Sequence, residues 1–368
     1  MTFDRYRSPV LGYVTYECLF SLARRFDNLR TRARSCIVND VLQSDFPDGL
    51  ILPFDAVGKD DIPLAGGKGA NLGELTRAGV QVPPGLVVAA DAYFRFLDGA
   101  GLRPQIEHLL RGFDANDRAQ LEGMALELRQ LITGVPMPAW LVSPISSAYD
   151  NMGGGTVAVR SSATAEDLAE ASFAGQQSTY LNVEGSAEVV RAVQNCWASL
   201  FEPQAIFYRA RAGFDHSDVG MGVVVQRMVQ AERSGVMFTI NPVTNDASST
   251  VIEAVFGLGE AIVSGLVTPD MYVVDKASGA ILERRVVGQE QELVRRPDAA
   301  RGEEQCHWAP VPFDRRFRPK LSDEEAGELA ATGRRIEAHF GCTQDIEWAW
   351  ADGTFWIVQA RPVTSLGL

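Results

Sequence analysis

Long apolar runs and an excess of positive charge are both missing from this sequence of 368 residues. No uninterrupted apolar stretch approaches the roughly 20 residues that a membrane-spanning helix needs, so we expect no membrane span. The formal net charge is -13 at pH 7, whereas broad binding to nucleic acid requires a positive surface that displaces counterions. The composition therefore disfavours a nucleic-acid partner, and any phosphate site must be basic only locally.

Lysine and cysteine are both scarce. The four lysines are Lys59, Lys68, Lys276 and Lys320. Because the chain takes its positive charge mainly from arginine, a lysine inside a glycine motif is less readily explained by chance. The five cysteines are scattered and form no Cys-x-x-Cys pair, which favours thiols in a reducing cytoplasm over a disulfide framework.

The length predicts about two to three lobes with a cleft between them. Residues 1 to about 50 form an N-terminal extension with clustered arginines and little glycine. It is interpreted as an amphipathic helix, an appended interaction arm, or translation from a misplaced start codon. From residue 51 the pattern is mixed α/β, with the first lobe or lobes over 51–240 and a second lobe over 241–368.

Hydrophobic periodicity predicts an amphipathic helix over 106–132 and a final helix over 323–340. Two segments rich in β-branched residues, 219–228 and 234–240, are expected to be neighbouring buried strands. An aromatic hairpin over 345–363 follows the final helix.

The most informative stretch is a short apolar strand that leads directly into Arg160. Small hydroxyl residues and a glycine follow it: Ser161, Ser162, Thr164, Gly175 and Thr179. An arginine pairs bidentately with phosphate, and hydroxyls and a glycine turn bring further donors close to the same oxygens. The stretch therefore predicts a polyphosphate ligand, ATP, although Thr179 could instead only satisfy a loop.

A second motif, Gly66-Gly67-Lys68-Gly69, joins a glycine turn to the start of a helix. Backbone N–H groups and the helix dipole attract an anion at such a start, and Lys68 adds a mobile positive charge. The motif is not a P-loop, because glycine follows the lysine where that pattern needs Ser or Thr. A glycine-rich helix entry with a solvated lysine is the alternative.

Two further segments have an open interpretation. Gln226 closes an apolar strand, a position from which its amide would read an adenine edge or a ribose; a solvent-facing glutamine at a strand end is the alternative. Residues 253–265 form another turn punctuated by glycines. We interpret it mainly as a tight connection between lobes and secondarily as a ligand contact.

The C-terminal hairpin allows two registers. A two-residue loop, 352–353, would place Glu347 and Gln359 on opposite faces. A three-residue loop, 351–353, with its glycine in the left-handed conformation, places Glu347, Gln359 and Arg361 on one face. We expect the three-residue loop, with an ordinary polar surface hairpin as the alternative.

That shared face would hold a carboxylate, an amide oxygen and a guanidinium. The set suits Mg²⁺ and the phosphates that it bridges, because Mg²⁺ takes few protein oxygens and keeps its other positions for water and phosphate. Trp348, Trp350 and Trp356 are expected together on the opposite, packed face.

In order along the chain, these motifs resemble those of the N-terminal ATP-binding domain shared by pyruvate phosphate dikinase, phosphoenolpyruvate synthase and rifampicin phosphotransferase. The resemblance covers residues 64–364 and implies an α/β (α+β) fold of the ATP-grasp type, in which ATP binds between lobes. The family's nucleotide and metal positions carry over onto Lys68, Arg160, Gly175, Thr179, Gln226, Glu347, Gln359 and Arg361. The resemblance implies that Glu347 and Gln359 hold Mg²⁺. It also implies that Lys68, Arg160 and Arg361 steady the phosphates during catalysis.

The resemblance also implies a reaction in which ATP gives a phosphoryl or pyrophosphoryl group to a histidine on a swivelling domain. That domain then serves pyruvate or another acceptor, such as an antibiotic. The four histidines, His108, His216, His307 and His339, match no phosphocarrier motif, so we expect neither a phosphohistidine domain nor an acceptor domain in this chain. The leading interpretation is an ATP- and Mg²⁺-binding part of a phosphotransferase. A histidine-bearing partner in trans, or a region missing from this chain, would complete it.

Two alternatives to this interpretation stay open. One is a catalytically incomplete nucleotide-binding or regulatory module, and the other is a self-contained small-molecule kinase.

Overall fold

The computed structural model describes residues 49–164, 178–216, 218–299 and 305–363, and the structural statements below concern these residues. Residues 1–48, nearly all of the expected N-terminal extension, lie outside the described part. Gly175 lies outside it as well.

Five antiparallel strands form the first sheet. In spatial order they are β1 (Ile51–Pro53), β2 (Gly85–Val88), β5 (Met221–Arg227), β3 (Thr156–Ala163) and β4 (Thr179–Glu184). The central strand β5 is buried along nearly its whole length, as its continuous apolar run predicts. Strand β3 carries Arg160, so the strand predicted before that arginine is confirmed.

Helices follow or connect these strands. In chain order they are α1 (Ile62–Arg77), α2 (Ala90–Gly99), α3 (Arg103–Leu110), α4 (Arg118–Thr133), α5 (Ala139–Asn151), α6 (Ser186–Ser199) and α7 (Pro203–Ala212). Two short 3₁₀ turns, Phe54–Ala56 and Lys59–Asp61, precede α1.

The single helix predicted over 106–132 is wrong, because the chain breaks between α3 and α4. Gly112 adopts a positive φ of 74°, which a right-handed helix does not allow. Downstream, the Asp117 carboxylate accepts the N–H of Gln120 at 3.1 Å and caps a new helix. The apolar periodicity of the sequence continues through this break, so periodicity alone predicted one continuous helix.

A six-stranded antiparallel sheet forms the second layer. In spatial order its strands are β13 (Thr354–Pro362), β12 (Gln344–Ala351), β6 (Arg233–Phe238), β7 (Ser249–Phe256), β8 (Asp270–Asp275) and β9 (Ile281–Arg285). Helix α9 (Asp323–Phe340) packs against it, and the core between them contains Met237, Tyr272, Leu329, Ile336 and Trp348.

The boundaries of α9 are those predicted, and local chemistry explains both ends. Ser322 and Glu325 form a reciprocal capping box at the start. Gly341 ends the helix in the left-handed conformation, with a φ of 73°. These signals act within a few residues, so the sequence carries them in full.

The strands predicted over 219–228 and 234–240 are present as β5 and β6, but they are not neighbours. Strand β5 pairs with β2 and β3, whereas β6 pairs with β7 and β12. The linking segment ties the two sheets together, because Met228 N–H donates to the Thr156 carbonyl and Glu232 N–H to the Trp350 carbonyl, each at 3.0 Å. Two buried β-branched strands have the same composition whichever partners they take, so composition cannot specify the pairing.

Two small elements lie beside the end of β7 in the second sheet. Strands β10 (Gln291–Arg295) and β11 (Cys306–Pro310) form a separate ribbon, and the short helix α8 (Glu260–Val263) follows β7. Gly257, with a φ of 85°, makes an isolated bridge to Leu293 of the ribbon.

The two sheets with their helices confirm the mixed α/β class. Among the described helices, none combines the length and the apolar character that crossing a bilayer requires.

A fully buried ion pair joins the second sheet to the segment before α9. The Lys320 Nζ donates to Asp270 Oδ1 at 2.8 Å, and neither side chain is exposed. The Asp270 carboxylate also accepts the N–H groups of Val287 and Lys320 and the Tyr272 hydroxyl, at 2.8, 2.9 and 3.2 Å. These bonds offset the cost of burying two charges.

We expect Lys320→Met to lower the free energy of unfolding by about 3 kcal/mol, because the Asp270 carboxylate would stay buried without its counter-ion. Urea unfolding measures this loss. Lys276→Met is the matched control, since Lys276 pairs with Glu337 at 2.7 Å and both side chains are partly exposed; its loss should stay below about 1 kcal/mol. Equal losses in the two variants would contradict the importance of burial.

Candidate functional site

A cavity of about 220 Å³ lies between the two sheets, far larger than the roughly 15 Å³ that one water needs. Strands β3, β4 and β5 line it from the first sheet, and β6, β12 and β13 from the second. Of the eight positions that the family resemblance carries over, seven line this cavity: Lys68, Arg160, Thr179, Gln226, Glu347, Gln359 and Arg361. The eighth, Gly175, lies outside the described residues.

Arg160 connects the two walls of the cavity. Its Nη2 donates to Glu347 Oε2 at 2.9 Å and to Gln359 Oε1 at 2.6 Å, and its Nη1 donates to the Val358 carbonyl at 2.9 Å. The Nε is buried and has no hydrogen-bond partner among the described residues. A guanidinium from the first sheet is thus neutralised by a carboxylate from the second.

The turn of the hairpin has two residues. Ala351 pairs with Thr354, and both Asp352 and Gly353 between them have positive φ, 50° and 75°, as a type I′ turn requires. The three-residue loop expected from the sequence is therefore wrong. The Asp-Gly pair is a strong signal for the shorter turn, and it acts locally.

A β-bulge at Val358 nevertheless brings Glu347 opposite Gln359. Trp348 opposes Ile357, and the next pair is Glu347 with Gln359, so Val358 is the extra residue. The bulged carbonyl is the one that accepts from Arg160. The structure thus places Glu347 and Gln359 on one face, as expected, but the bulge rather than the turn produces this arrangement.

The two-residue turn also separates the tryptophans. Trp348 and Trp350 pack in the core beneath α9, whereas Trp356 packs with Leu258 and Ala349 beside the cavity. The expectation that all three share one packed face is wrong for Trp356. The two-residue turn pairs Trp356 with Ala349. Directly opposed residues share a face, and Ala349 alternates with Trp348 and Trp350 along β12, so Trp356 lies on the opposite face.

Asp345 is a charged residue of the site that the sequence reasoning missed. It lies opposite Arg361 in the hairpin and accepts from the Nε and Nη2 of that arginine at 2.9 and 2.8 Å. Burial raises the pKa of Asp345; the Arg361 guanidinium counteracts part of this rise, and the charge of Glu347 adds to it. Alternation along the strand was the available signal, because positions 345 and 347 share a face.

The glycine-punctuated turn contributes to the cavity through Leu258, Gly259 and Glu260. Partial burial raises the pKa of Glu260, the charge of Glu347 adds to this rise, and Arg160 opposes it. The turn connects β7 of the second sheet to the short helix α8 that follows it, so the interpretation as a connection between lobes is wrong, and the turn is a wall of the cavity. A ligand contact was the secondary interpretation of this turn, and its position fits that interpretation.

Gln226 is buried, with 2% of its surface exposed, which excludes the solvent-facing alternative. Its Nε2 has no hydrogen-bond partner among the described residues, although a buried polar group ordinarily has one. Because Gln226 lines the cavity, a ligand acceptor there would satisfy this donor.

Lys68 follows a sharp bend within α1. Gly66 interrupts the helix with φ 69° and ψ 170°, so Lys68 lies in the first turn of the segment that resumes after it. N–H groups and the dipole at such a helix start favour an anion. The predicted glycine turn into a helix is confirmed, although helical residues already begin at Ile62.

Thr179 opens β4 at the edge of the cavity. It pairs with Arg160 across β3 and β4, and its side chain is exposed. Its hydroxyl is therefore accessible at the same cavity wall that Arg160 lines.

The donor set fits a hard cation that keeps part of its own shell. One oxygen of Glu347 and one of Gln359 lie within hydrogen-bond distance of the same Arg160 nitrogen. Carboxylate and amide oxygens suit Mg²⁺, which needs few protein ligands when phosphate and water complete its octahedron. Among the described residues, no group of three or more His, Cys, Asp or Glu is arranged to hold a metal. The cavity therefore presents two oxygens of the kind that suits Mg²⁺ close to one another.

Comparison with known proteins agrees with this geometry. The family model described as "Pyruvate phosphate dikinase, AMP/ATP-binding domain" matches residues 62–367. A probable phosphoenolpyruvate synthase of Methanothermobacter thermautotrophicus is 48% identical over 320 residues, 85% of this chain and 46% of that protein. The phosphoenolpyruvate synthase of Pyrococcus furiosus is 42% identical over 357 residues, 85% of this chain and 43% of the relative.

A rifampicin phosphotransferase of a Streptomyces species is 45% identical over 319 residues, 86% of this chain and 36% of that protein. The chain therefore spans less than half the length of these curated relatives. The family resemblance inferred from the motifs is confirmed.

The bend at Gly66 yields a stability prediction. A Cβ at Gly66 would collide with the Ser162 carbonyl oxygen, and its φ and ψ lie in a region that only glycine adopts readily. We expect Gly66→Ala to lower the free energy of unfolding by about 3 kcal/mol or more. Gly79→Ala is the control, because Gly79 has φ +71° with nothing within 4 Å of an added Cβ; it should lose only about 1 kcal/mol. Urea unfolding compares the two, and equal losses would contradict the close approach.

Proposed function

Because the chain belongs to the family of the pyruvate phosphate dikinase AMP/ATP-binding domain, we propose that its cavity binds Mg²⁺ and ATP and presents the phosphates to a histidine of another domain or protein. The observation that carries the proposal is the Arg160 fork. One guanidinium meets a carboxylate and an amide oxygen from the opposite sheet in the cavity that Lys68, Gln226 and Arg361 also line. We further propose that two lobes, residues 51–240 and 241–368, supply the two walls, except that β6 of the first range pairs within the second sheet and belongs to the second wall.

The chain's own residues divide the work of binding. Arg160, Arg361 and Lys68 hold the phosphates, and the helix start after Gly66 adds its dipole. Gln226 donates its buried amide N–H to the edge of the adenine, which satisfies that donor. Glu347 and Gln359 would hold Mg²⁺, which neutralises charge on the phosphates that it bridges.

Charge balance makes the two ligands depend on each other. Without ligands, Glu347 neutralises Arg160 at 2.9 Å. A phosphate that binds Arg160 must displace the Glu347 carboxylate. A cation that binds this carboxylate must leave Arg160 without its counter-ion. Either ligand alone breaks a buried pair, whereas together they replace both partners.

We therefore expect calorimetry to show ATP binding that strengthens at least about tenfold when Mg²⁺ is present. Glu347→Gln should abolish most of this strengthening, because the cation loses its charged ligand. Arg160→Ala and Arg361→Ala should each weaken Mg·ATP binding about tenfold or more. Folded wild-type protein that binds no Mg·ATP would contradict the proposed function.

The phosphate acceptor must come from outside the cavity lining. The histidines of this chain lie elsewhere: none of them lines the cavity among the described residues. His216 accepts from Arg209 Nε at 2.9 Å, and His339 contacts Glu74 at 2.6 Å. This observation supports transfer to a histidine in trans, and it equally motivates the second candidate, a nucleotide-binding or regulatory module without transfer.

In the proposed transfer, an imidazole nitrogen bonds to a phosphorus of ATP while the bond from that phosphorus to a bridging oxygen breaks. Phosphoryl transfer leaves ADP, and pyrophosphoryl transfer leaves AMP. The final acceptor is a small molecule such as pyruvate or an antibiotic, in keeping with the names of the relatives. We place the protein in the cytoplasm; among the described cysteines, Cys196, Cys306 and Cys342, no disulfide forms.

The transfer experiment incubates the chain with Mg·ATP and a candidate histidine-bearing protein. We expect AMP or ADP together with an acid-labile phosphate on the partner, and Arg160→Ala should reduce both by a factor of about 100 or more. Nucleotide turnover without phosphohistidine would contradict the transfer. Tight Mg·ATP binding with no turnover across such partners would favour the regulatory module.

A further inference from the structure

The hydroxyl of Ser162 ties together both ends of the glycine turn. Its Oγ donates to the Ala65 carbonyl at 2.8 Å and accepts the N–H of Gly69 at 3.0 Å. Gly66, Gly67 and Lys68 are the residues between these two contacts. A single buried oxygen, with Ser162 fully inaccessible, thus closes the turn that carries Lys68.

Glycines make this closure possible. Gly66 passes so close to Ser162 that no side chain fits there. Gly222 pairs with Ser162 across β3 and β5, and a Cβ on Gly222 would lie 2.6 Å from the Ala65 carbonyl oxygen. The turn therefore sits in a notch on the sheet, and the Ser162 hydroxyl is the polar contact at its base.

The same strand carries the arginine of the site. Residues 160 and 162 of β3 alternate with 161, so Arg160 and Ser162 point to the same face of the sheet. The neighbouring Ser161 donates its hydroxyl to Ser178 instead, at 3.1 Å. Ser162 hence fixes where the Lys68 backbone lies relative to Arg160.

We propose that Ser162 is a positioning residue for phosphate binding, acting through Lys68. Its hydroxyl holds the glycine turn so that the Lys68 ammonium meets the phosphates that Arg160 holds from the same strand. The proposal rests on the proposed function of the cavity. It makes Ser162 part of the phosphate site although the hydroxyl itself is committed to the turn.

A purely structural role predicts something different. If Ser162 only stabilised the fold, removing its hydroxyl would affect ligand binding to the same degree with or without the Lys68 ammonium. If it acts through Lys68, its effect disappears once that ammonium is gone. A double-mutant cycle separates the two cases.

The experiment measures Mg·ATP affinity by calorimetry in wild-type protein, Ser162→Ala, Lys68→Ala and the double variant. We expect Ser162→Ala to weaken binding about fivefold, the equivalent of one net hydrogen bond. In the Lys68→Ala background the same change should alter the affinity less than about twofold. Adenosine, which has no phosphate, should bind wild-type and Ser162→Ala protein equally within about twofold.

Ser162→Cys is the second variant, because its thiol fills the same buried space but is a weaker donor and acceptor. Thermal unfolding establishes that each variant is folded at the assay temperature. Should the alanine variant fail to fold, the cysteine variant takes its place in the cycle, with the same Lys68-dependent loss expected. Ser199→Ala is the matched control, since the Ser199 hydroxyl is also buried but bonds within α6, to Cys196; its Mg·ATP affinity should equal that of wild type.

Two results would overturn the inference. One is unchanged Mg·ATP affinity in folded Ser162 variants, and the other is an equal loss in the wild-type and Lys68→Ala backgrounds. Both presuppose that wild-type protein binds Mg·ATP. Failure of the wild-type protein to bind would instead contradict the proposed function, so the two failures are distinct.

Discussion

The site depends on one buried fork of hydrogen bonds, from Arg160 to Glu347, Gln359 and the Val358 carbonyl. It joins the two sheets across the cavity, and it sets the charge balance there before any ligand arrives. A guanidinium with only 9% of its residue surface exposed needs an anionic partner, because burying an unpaired charge is costly. In the proposed function, a phosphate takes the place of the carboxylate and a cation takes the place of the guanidinium. The pairing between the sheets is thus the interaction on which the proposed binding of both charges depends.

Close backbone approach is the second constraint. The turn that carries Lys68 lies against β3 and β5, where Gly66 and Gly222 leave no room for a side chain. Only residues without a Cβ allow this contact, and it lets one serine hydroxyl hold both ends of the turn. The backbone of the turn that carries Lys68 is thereby held against the sheet.

Much of the fold was predictable where the signals are local. The helix Asp323–Phe340 ends where its capping box and final glycine indicate, and the strand before Arg160 is present as β3. The hairpin turn was predicted wrongly although its Asp-Gly signal is local. The other failures came where the deciding contact is distant or the pattern is ambiguous. Apolar periodicity ran through the break between α3 and α4, and the composition of β5 and β6 could not show that they belong to different sheets. Asp345 was missed because its importance comes from its cross-strand partner Arg361.

The sequence by itself determined the chemistry of the site and the family. Its motifs supply the lysine, arginines, carboxylate and amides. Of the eight positions carried over from the family resemblance, seven line one cavity and the eighth lies outside the described part. Only the tertiary structure decided how they meet. Arg160 and Gln359 are 199 residues apart, and their contact requires a bulge that shifts the register of β13 by one residue. Because side chains alternate along a strand, that single residue decides whether Glu347 and Gln359 share a face. The bulged Val358 carbonyl accepts a hydrogen bond from Arg160 of the opposite sheet, a contact that no local pattern in the hairpin contains.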